Sequence, residues 1–217
     1  METGTIARVE EISRCASEVQ DALISLLSEK RISVPELNME VPAKKGFSII
    51  ATANTRDKGV NEMSAALKRR FNFETVMPVR EVALEKQIIL NEVNQLANES
   101  HIEMSADEDV AELLASTYHE LREGISSMGH RIDSPTAVMS TAEAVSVYYQ
   151  TMISAYYYGN GQMDVDQLVQ NLVGALSKEN KEDLGKVKEY FNTVIKDKSS
   201  KEGGLWKQYY EARKWLR

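Results

Sequence analysis

The hydrophobic positions of this chain change rhythm near Pro78. Before it, apolar residues come in short, strand-like runs: Ile6 and Val9 within Thr5 to Glu10, after a turn at Glu2-Thr3-Gly4, and Phe47, Ile49, Ile50 and Ala51 further on. The second run is continuous enough to predict a strand buried on both faces of a parallel sheet. It stops abruptly in the polar residues Thr52, Asn54, Thr55, Arg56 and Asp57, where ligands commonly sit in open α/β sheets. Between the two strands, Val19, Ala22, Leu23, Leu26 and Leu27 recur at helical steps and predict a helix over Ser13 to Lys30. Arg31 to Val34 and Met39 to Val41 alternate around Pro35-Glu36-Leu37-Asn38, which predicts a hairpin. A short helix over Glu62 to Lys68 leads to Arg69 and Arg70, and Phe71 opens a strand-like run to Val79.

After Pro78 the period is helical throughout. Glu81 to Ala97 carries Val82, Leu84, Ile88, Ile89, Val93 and Leu96 as a broad stripe, and Asp107 to Glu123 follows, with Ser105 and Glu108 at capping-box spacing. Ser134-Pro135 predicts the start of a helix running to Tyr158, and a further helix spans Asp164 to Leu176. Lys181 to Lys196 reads as another. Asp197 to Gly204, DKSSKEGG, reads as a flexible linker, and Leu205, Trp206, Tyr209, Tyr210, Arg213 and Leu216 form a C-terminal amphipathic helix expected to dock on the preceding helices.

Three polar clusters stand out against this pattern. Glu10 and Glu11 end the first strand, Asn54 ends the second, and Arg69-Arg70 sits at an element boundary. Taken alone, two acids before a helix merely favour its N-terminus. Together the clusters resemble the C-terminal half of the nucleotide-binding module of AAA+ ATPases, most closely the MoxR-like branch. IIATAN matches that family's sensor 1 strand, ALKRRF its arginine-finger segment, and VEEISRCASEVQDALISLLSEKRI its Walker B strand with the following helix, and MoxR-like proteins carry a hairpin of the predicted kind just before sensor 1. The resemblance runs from about Gly4 to Leu176.

It implies ATP and Mg²⁺ as cofactors, with Glu10 toward the metal, directly or through water, and Glu11 polarising the attacking water. Asn54 would orient that water, and Arg70 would act as the finger. The family more often has aspartate where Glu10 stands, and an acidic residue where Arg69 stands. Arg14, in the first turn after the acids, reads as a solvated arginine or as one reaching a nucleotide or a neighbouring subunit. In the lid, Thr136 of Ser134-Pro135-Thr136-Ala137 occupies the place of a sensor 2 arginine, with Arg131 as the candidate substitute.

The implied fold class is α/β plus all-α: an incomplete P-loop NTPase (AAA+) parallel sheet over residues 1–79, followed by a helical lid over 80–196 and a linker with a C-terminal helix over 197–217. The chain nowhere contains G-x-x-x-x-G-K-[ST], the loop that cradles phosphates. It therefore reads as truncated, with Met1 as an internal methionine and a central strand missing between those ending at Asn54 and beginning at Phe71. The parent is expected to be an ATPase that works in a self-associated ring and remodels protein partners, with von Willebrand factor A domain proteins as the class the resemblance implies. This chain alone is expected to be inactive. The alternative is a non-catalytic interaction module, a remnant without the phosphate loop.

Composition narrows the setting. The net charge of -7 argues against a sequence-independent nucleic-acid binder. Cys15 is the only cysteine, so an internal disulfide and a multi-cysteine zinc site are excluded. No apolar run reaches the length of a membrane span, and Met1 to Glu10 lacks the features of a secretory signal, which makes the cytoplasm the expected compartment. His101, His119 and His130 have no ligand spacing. Tyr148, Tyr149, Tyr156, Tyr157 and Tyr158 suggest a stacking surface for bases or, as the preferred reading, lid core.

Overall fold

A computed structural model describes residues 1, 3–54, 63–136, 139–176 and 181–217. Thr55, Arg56, Asp57 and Ala137 lie outside the described residues. The chain divides into two compact units, Met1–Val76 and Met77–Arg217.

In the first unit β1 (Ile6–Val9) pairs in parallel with β4 (Ser48–Ala51), so that Val9 faces Ala51 at their carboxyl ends. Between them come α1 (Ser17–Glu29) and the hairpin of β2 (Arg31–Val34) and β3 (Met39–Pro42), closed by a 3₁₀ turn over Pro35–Leu37. Proline presets the φ of that turn, and Asn38 ends it in the left-handed region. The hairpin stands where the alternation predicted it.

The helix expected over Ser13 to Lys30 breaks instead at Cys15 and Ala16: Ile12–Arg14 forms a 3₁₀ turn before α1 begins. Ile12 is thereby buried against Met63 and Leu67, the centre of this unit's small core, with Leu23, Ile24 and Leu27 of α1 packed around it. Leu67 lies on α2 (Ala65–Lys68), whose N-cap Ser64 accepts a hydrogen bond from the Leu67 N–H.

Two predictions for this unit are corrected. Among the described residues β4 has one neighbour, and only Ile49 is buried while Ile50 is 58% exposed, so the strand is not covered on both faces. Phe71 to Val79 forms no strand, and Phe73, Val76 and Met77 are exposed. A strand exists only where a neighbour takes up its backbone groups, and none of the described strands does so here.

The second unit is helical: α3 (Val82–Glu99), α4 (Glu108–Glu123), α5 (Thr141–Tyr158), α6 (Val165–Leu176), α7 (Lys181–Tyr190), α8 (Lys196–Glu202) and α9 (Gly204–Glu211). Their apolar stripes close on one core, in which Ile89, Val93, Leu114, Tyr118, Tyr148, Leu168, Phe191 and Tyr209 are fully buried. The C-terminal helix docks on this core through Tyr209, Ala212 and Leu216, with the Tyr209 hydroxyl 3.1 Å from Thr117 Oγ1.

Several helix ends move from their predicted places. The cap of α4 is Asp107, whose Oδ1 accepts from Asp109 and Val110 N–H, rather than Ser105. α5 starts at a capping box formed by Ser140 and Glu143, not at Ser134-Pro135. The expected linker Asp197–Gly204 is helical through Glu202, because a π-helical turn over Phe191–Ile195 joins α7 to α8 without a break. Of the tyrosines, Tyr148 is core, whereas Tyr157 and Tyr158 are exposed. No helix among the described residues is long and apolar enough to cross a membrane.

Candidate functional site

The carboxyl ends of β1 and β4 bring Glu10, Glu11 and the Thr52–Asn54 segment side by side. The pairing continues past the formal strands: Thr52 N–H donates to Val9 O at 2.9 Å, and Ile12 N–H donates to Thr52 O at 2.9 Å. Thr52 Oγ1 also accepts from Glu11 N–H at 3.1 Å. Glu11 is held with φ 51° and ψ 45°, left-handed backbone that L side chains adopt at a cost.

Both carboxylates are accessible, with side chains 65% (Glu10) and 54% (Glu11) exposed. Each pairs with an arginine of its own segment, Arg8 to Glu10 at 2.8 Å and Arg14 to Glu11 at 2.9 Å. Exposed ion pairs of this kind are weak, so both carboxylates can exchange these partners for a ligand. Asn54 is exposed at the end of the same segment.

Arg70 is not brought to this cluster. Its Nε donates to Ser28 Oγ at 3.0 Å and one terminal nitrogen donates to Ala66 O at 3.1 Å, which lays the guanidinium against the last turn of α1. Buried Gln20 explains the placement. Its amide nitrogen donates to Cys15 O at 3.2 Å and its oxygen accepts from Ser64 N–H at 3.2 Å, so α2 starts beside the first turn of α1. α2 then leads away, and Ser28 lies about three turns, or about 16 Å, along α1 from Ser17. The site residues thus fall into two groups at opposite ends of one helix. Arg69 is exposed next to Arg70.

In the helical unit, Thr136 is committed to the fold. Its N–H and its hydroxyl both donate to the buried Asp183 carboxylate, at 2.8 and 2.7 Å. Arg131 is exposed, pairs through its backbone with Ile125, and lines a cleft of about 240 Å³ with Lys186, Glu189, Tyr190 and Thr193. His130 lies 3.3 Å from Asp197. Among the described residues no group of three or more His, Cys, Asp and Glu side chains is arranged to hold a metal ion.

Mg²⁺ does not require such a group. It binds through one or two carboxylates, with waters and substrate phosphates completing its shell. Accessible Glu10 at the strand end fits that requirement as a hard oxygen donor.

Buried ionic networks elsewhere went unnoticed in the sequence. Arg122 donates to both oxygens of fully buried Glu85, at 3.0 and 2.7 Å, and to the carbonyls of Met139 (2.9 Å) and Val79 (3.1 Å). Lys198 pairs with buried Glu120 at 2.9 Å, and the Tyr190 hydroxyl donates to the same carboxylate at 2.6 Å. Burial opposes the Glu120 charge, but the Ser127 N–H, Tyr190 and Lys198 outweigh it and hold its pKa below the ordinary value. Burial and the Glu120 charge push the Tyr190 hydroxyl well up.

A parallel strand pair ending in acids and an asparagine, followed by a helical unit, is consistent with part of a P-loop fold and its helical lid. Residues 81–217 match the YehL-like AAA+ ATPase C-terminal domain and residues 1–71 match the AAA domain (dynein-related subfamily), and the chain belongs to the YehL-like AAA+ ATPases. It is 41% identical over 216 residues to the "Uncharacterized protein YehL" of Escherichia coli (strain K12). That alignment covers 98% of this chain and 59% of the relative, so the chain spans about three fifths of the relative's length. Membership of this family implies a nucleotide ligand, usually with Mg²⁺.

Proposed function

We propose that this chain carries the water-activating and finger residues of a MoxR-like AAA+ ATPase that hydrolyses ATP in a ring of like subunits and remodels protein partners. The observation that supports the reading is the continued pairing of β1 with β4, so that Glu10 and Glu11 follow one strand and Asn54 follows its parallel neighbour. Glu10 would face Mg²⁺, directly or through water, and that ion would neutralise charge on the phosphates. Glu11 would accept the proton of the attacking water, and Asn54 would orient that water by hydrogen bonding. Arg70, about a helix length away, would serve the nucleotide of a neighbouring subunit. The same proposal takes the cytoplasm as the setting and a von Willebrand factor A domain protein as the partner class.

The test is a pair of substitutions in the ATP-hydrolysing protein that carries this chain. Glu11→Gln should abolish steady-state turnover while ATP binding persists, because the amide keeps the shape and loses the base. Asn54→Ala should slow turnover, also with binding retained. Turnover near wild type in Glu11→Gln removes that residue from the mechanism.

A further inference from the structure

Four non-glycine residues among those described have positive φ: Glu11, Lys30, Asn38 and His101. Three of them close helical turns. Lys30 caps α1 with its N–H on Leu26 O, Asn38 caps the 3₁₀ turn with its N–H on Pro35 O, and His101 follows α3 with its N–H on Asn98 O. Such ends commonly take a left-handed residue. Glu11 differs, since it lies where a strand ends and a 3₁₀ turn begins.

Its neighbours show what holds it there. Thr52 makes three bonds to the 9–12 segment: its N–H to Val9 O, its carbonyl from Ile12 N–H, and its Oγ1 from Glu11 N–H. The first two fix the residues on either side of the Glu10-Glu11 pair and belong to the backbone. The third comes from the side chain and reaches Glu11 itself. A valine in its place would have nearly the same shape and no acceptor.

We infer that Thr52 is a positioning residue: its hydroxyl holds the left-handed backbone of Glu11 and thereby sets the direction in which the Glu11 carboxylate leaves the strand end. The inference rests on the role proposed for Glu11. A base must lie within hydrogen-bond reach of the proton it takes, and a residue outside its preferred backbone region reaches that place only when its surroundings hold it.

The test compares Thr52→Val with Thr52→Ser in the full 217-residue chain by NMR, following amide exchange and backbone angles at Glu11, with the amides of Ile49 and Leu67 as controls for folding. Thr52→Val should speed exchange of the Glu11 amide on the order of fivefold, the worth of one ordinary hydrogen bond, and shift its backbone angles, with the controls unmoved. Thr52→Ser keeps the oxygen and should preserve both. In the ATP-hydrolysing protein, Thr52→Val should lower kcat by a similar factor at unchanged KM, with Thr52→Ser near wild type.

Unchanged exchange and angles in Thr52→Val overturn the inference, whatever Glu11 does. Released backbone with normal kcat, in a protein that Glu11→Gln inactivates, overturns it as well. Normal turnover in Glu11→Gln is a different failure: it removes the proposed role of Glu11, and with it the catalytic meaning of Thr52.

Discussion

The two units of this chain bury their apolar residues to very different extents. The helical unit closes on itself, with the apolar faces of α3 to α9 meeting in one core and two of its charged pairs, Arg122–Glu85 and Lys198–Glu120, sealed inside. Among the described residues, the strand unit has a small core cluster of Ile12, Met63 and Leu67, while Ile6, Ile50, Leu37 and Phe73 stay more than half exposed. Stability should therefore reside in the helical unit, and the candidate catalytic residues in the unit with less to hold it. That division suits a site in which Glu11 is kept in place by individual hydrogen bonds, where opening free energies are low.

The largest effect that would sharpen this contrast comes from Arg122→Ala. It strands the buried Glu85 carboxylate and frees the carbonyls of Met139 and Val79. A loss of about 3 to 5 kcal/mol is the scale for breaking a buried pair. Denaturant melting of the helical unit should show it, while amide exchange at Ile49 stays unchanged. Equal loosening of both units would break the comparison.

Acid should act next, on the same unit. The Glu120 pKa is lowered in the folded state, so its contribution is complete above the unfolded carboxylate value and disappears as pH falls through the folded value. Helix content should hold at neutral pH and weaken below about pH 4, the region of an ordinary glutamate. Lys198→Met should flatten that pH dependence. A pH profile identical to wild type in that variant would remove the pair from the account.

The smallest effect belongs to the strand unit. Ile50→Thr replaces an exposed apolar residue on β4 and should change stability by no more than about 0.5 kcal/mol, as surface substitutions do. A large loss in the isolated chain would show that this face is covered in solution.

The candidate strand end with Glu10, Glu11 and Asn54 is legible because its motifs are local. IIATAN and ALKRRF each lie within a few residues, and the hairpin announces itself by alternation around Pro35-Glu36-Leu37-Asn38. What escaped depends on distant partners. Phe71 to Val79 has the composition of a strand, but pairing is decided by a neighbour and not by composition. DKSSKEGG has the composition of a linker, yet Lys198 finds Glu120 and the helix continues. The start of α5 was written in the sequence, as Ser140 three residues before Glu143, and was masked by the equally familiar Ser134-Pro135. Thr52 carried no signal beyond being a hydroxyl residue at a strand end; its bond to Glu11 crosses forty-one residues.

On the proposed reading, the acidic strand end and Arg70 serve two different nucleotides, because they lie at opposite ends of α1. The most direct test of that reading mixes Glu11→Gln and Arg70→Ala subunits of the ATP-hydrolysing protein. Each variant alone should be nearly inactive, with Arg70→Ala down by about a thousandfold, the lower end of the scale known for arginine fingers. Mixed rings should regain turnover, greatest near equal proportions, because an Arg70→Ala subunit then offers an intact Glu11 to the intact Arg70 of a Glu11→Gln neighbour. No recovery at any ratio would mean that Arg70 acts within its own subunit, and the division of the site drawn from α1 would be wrong.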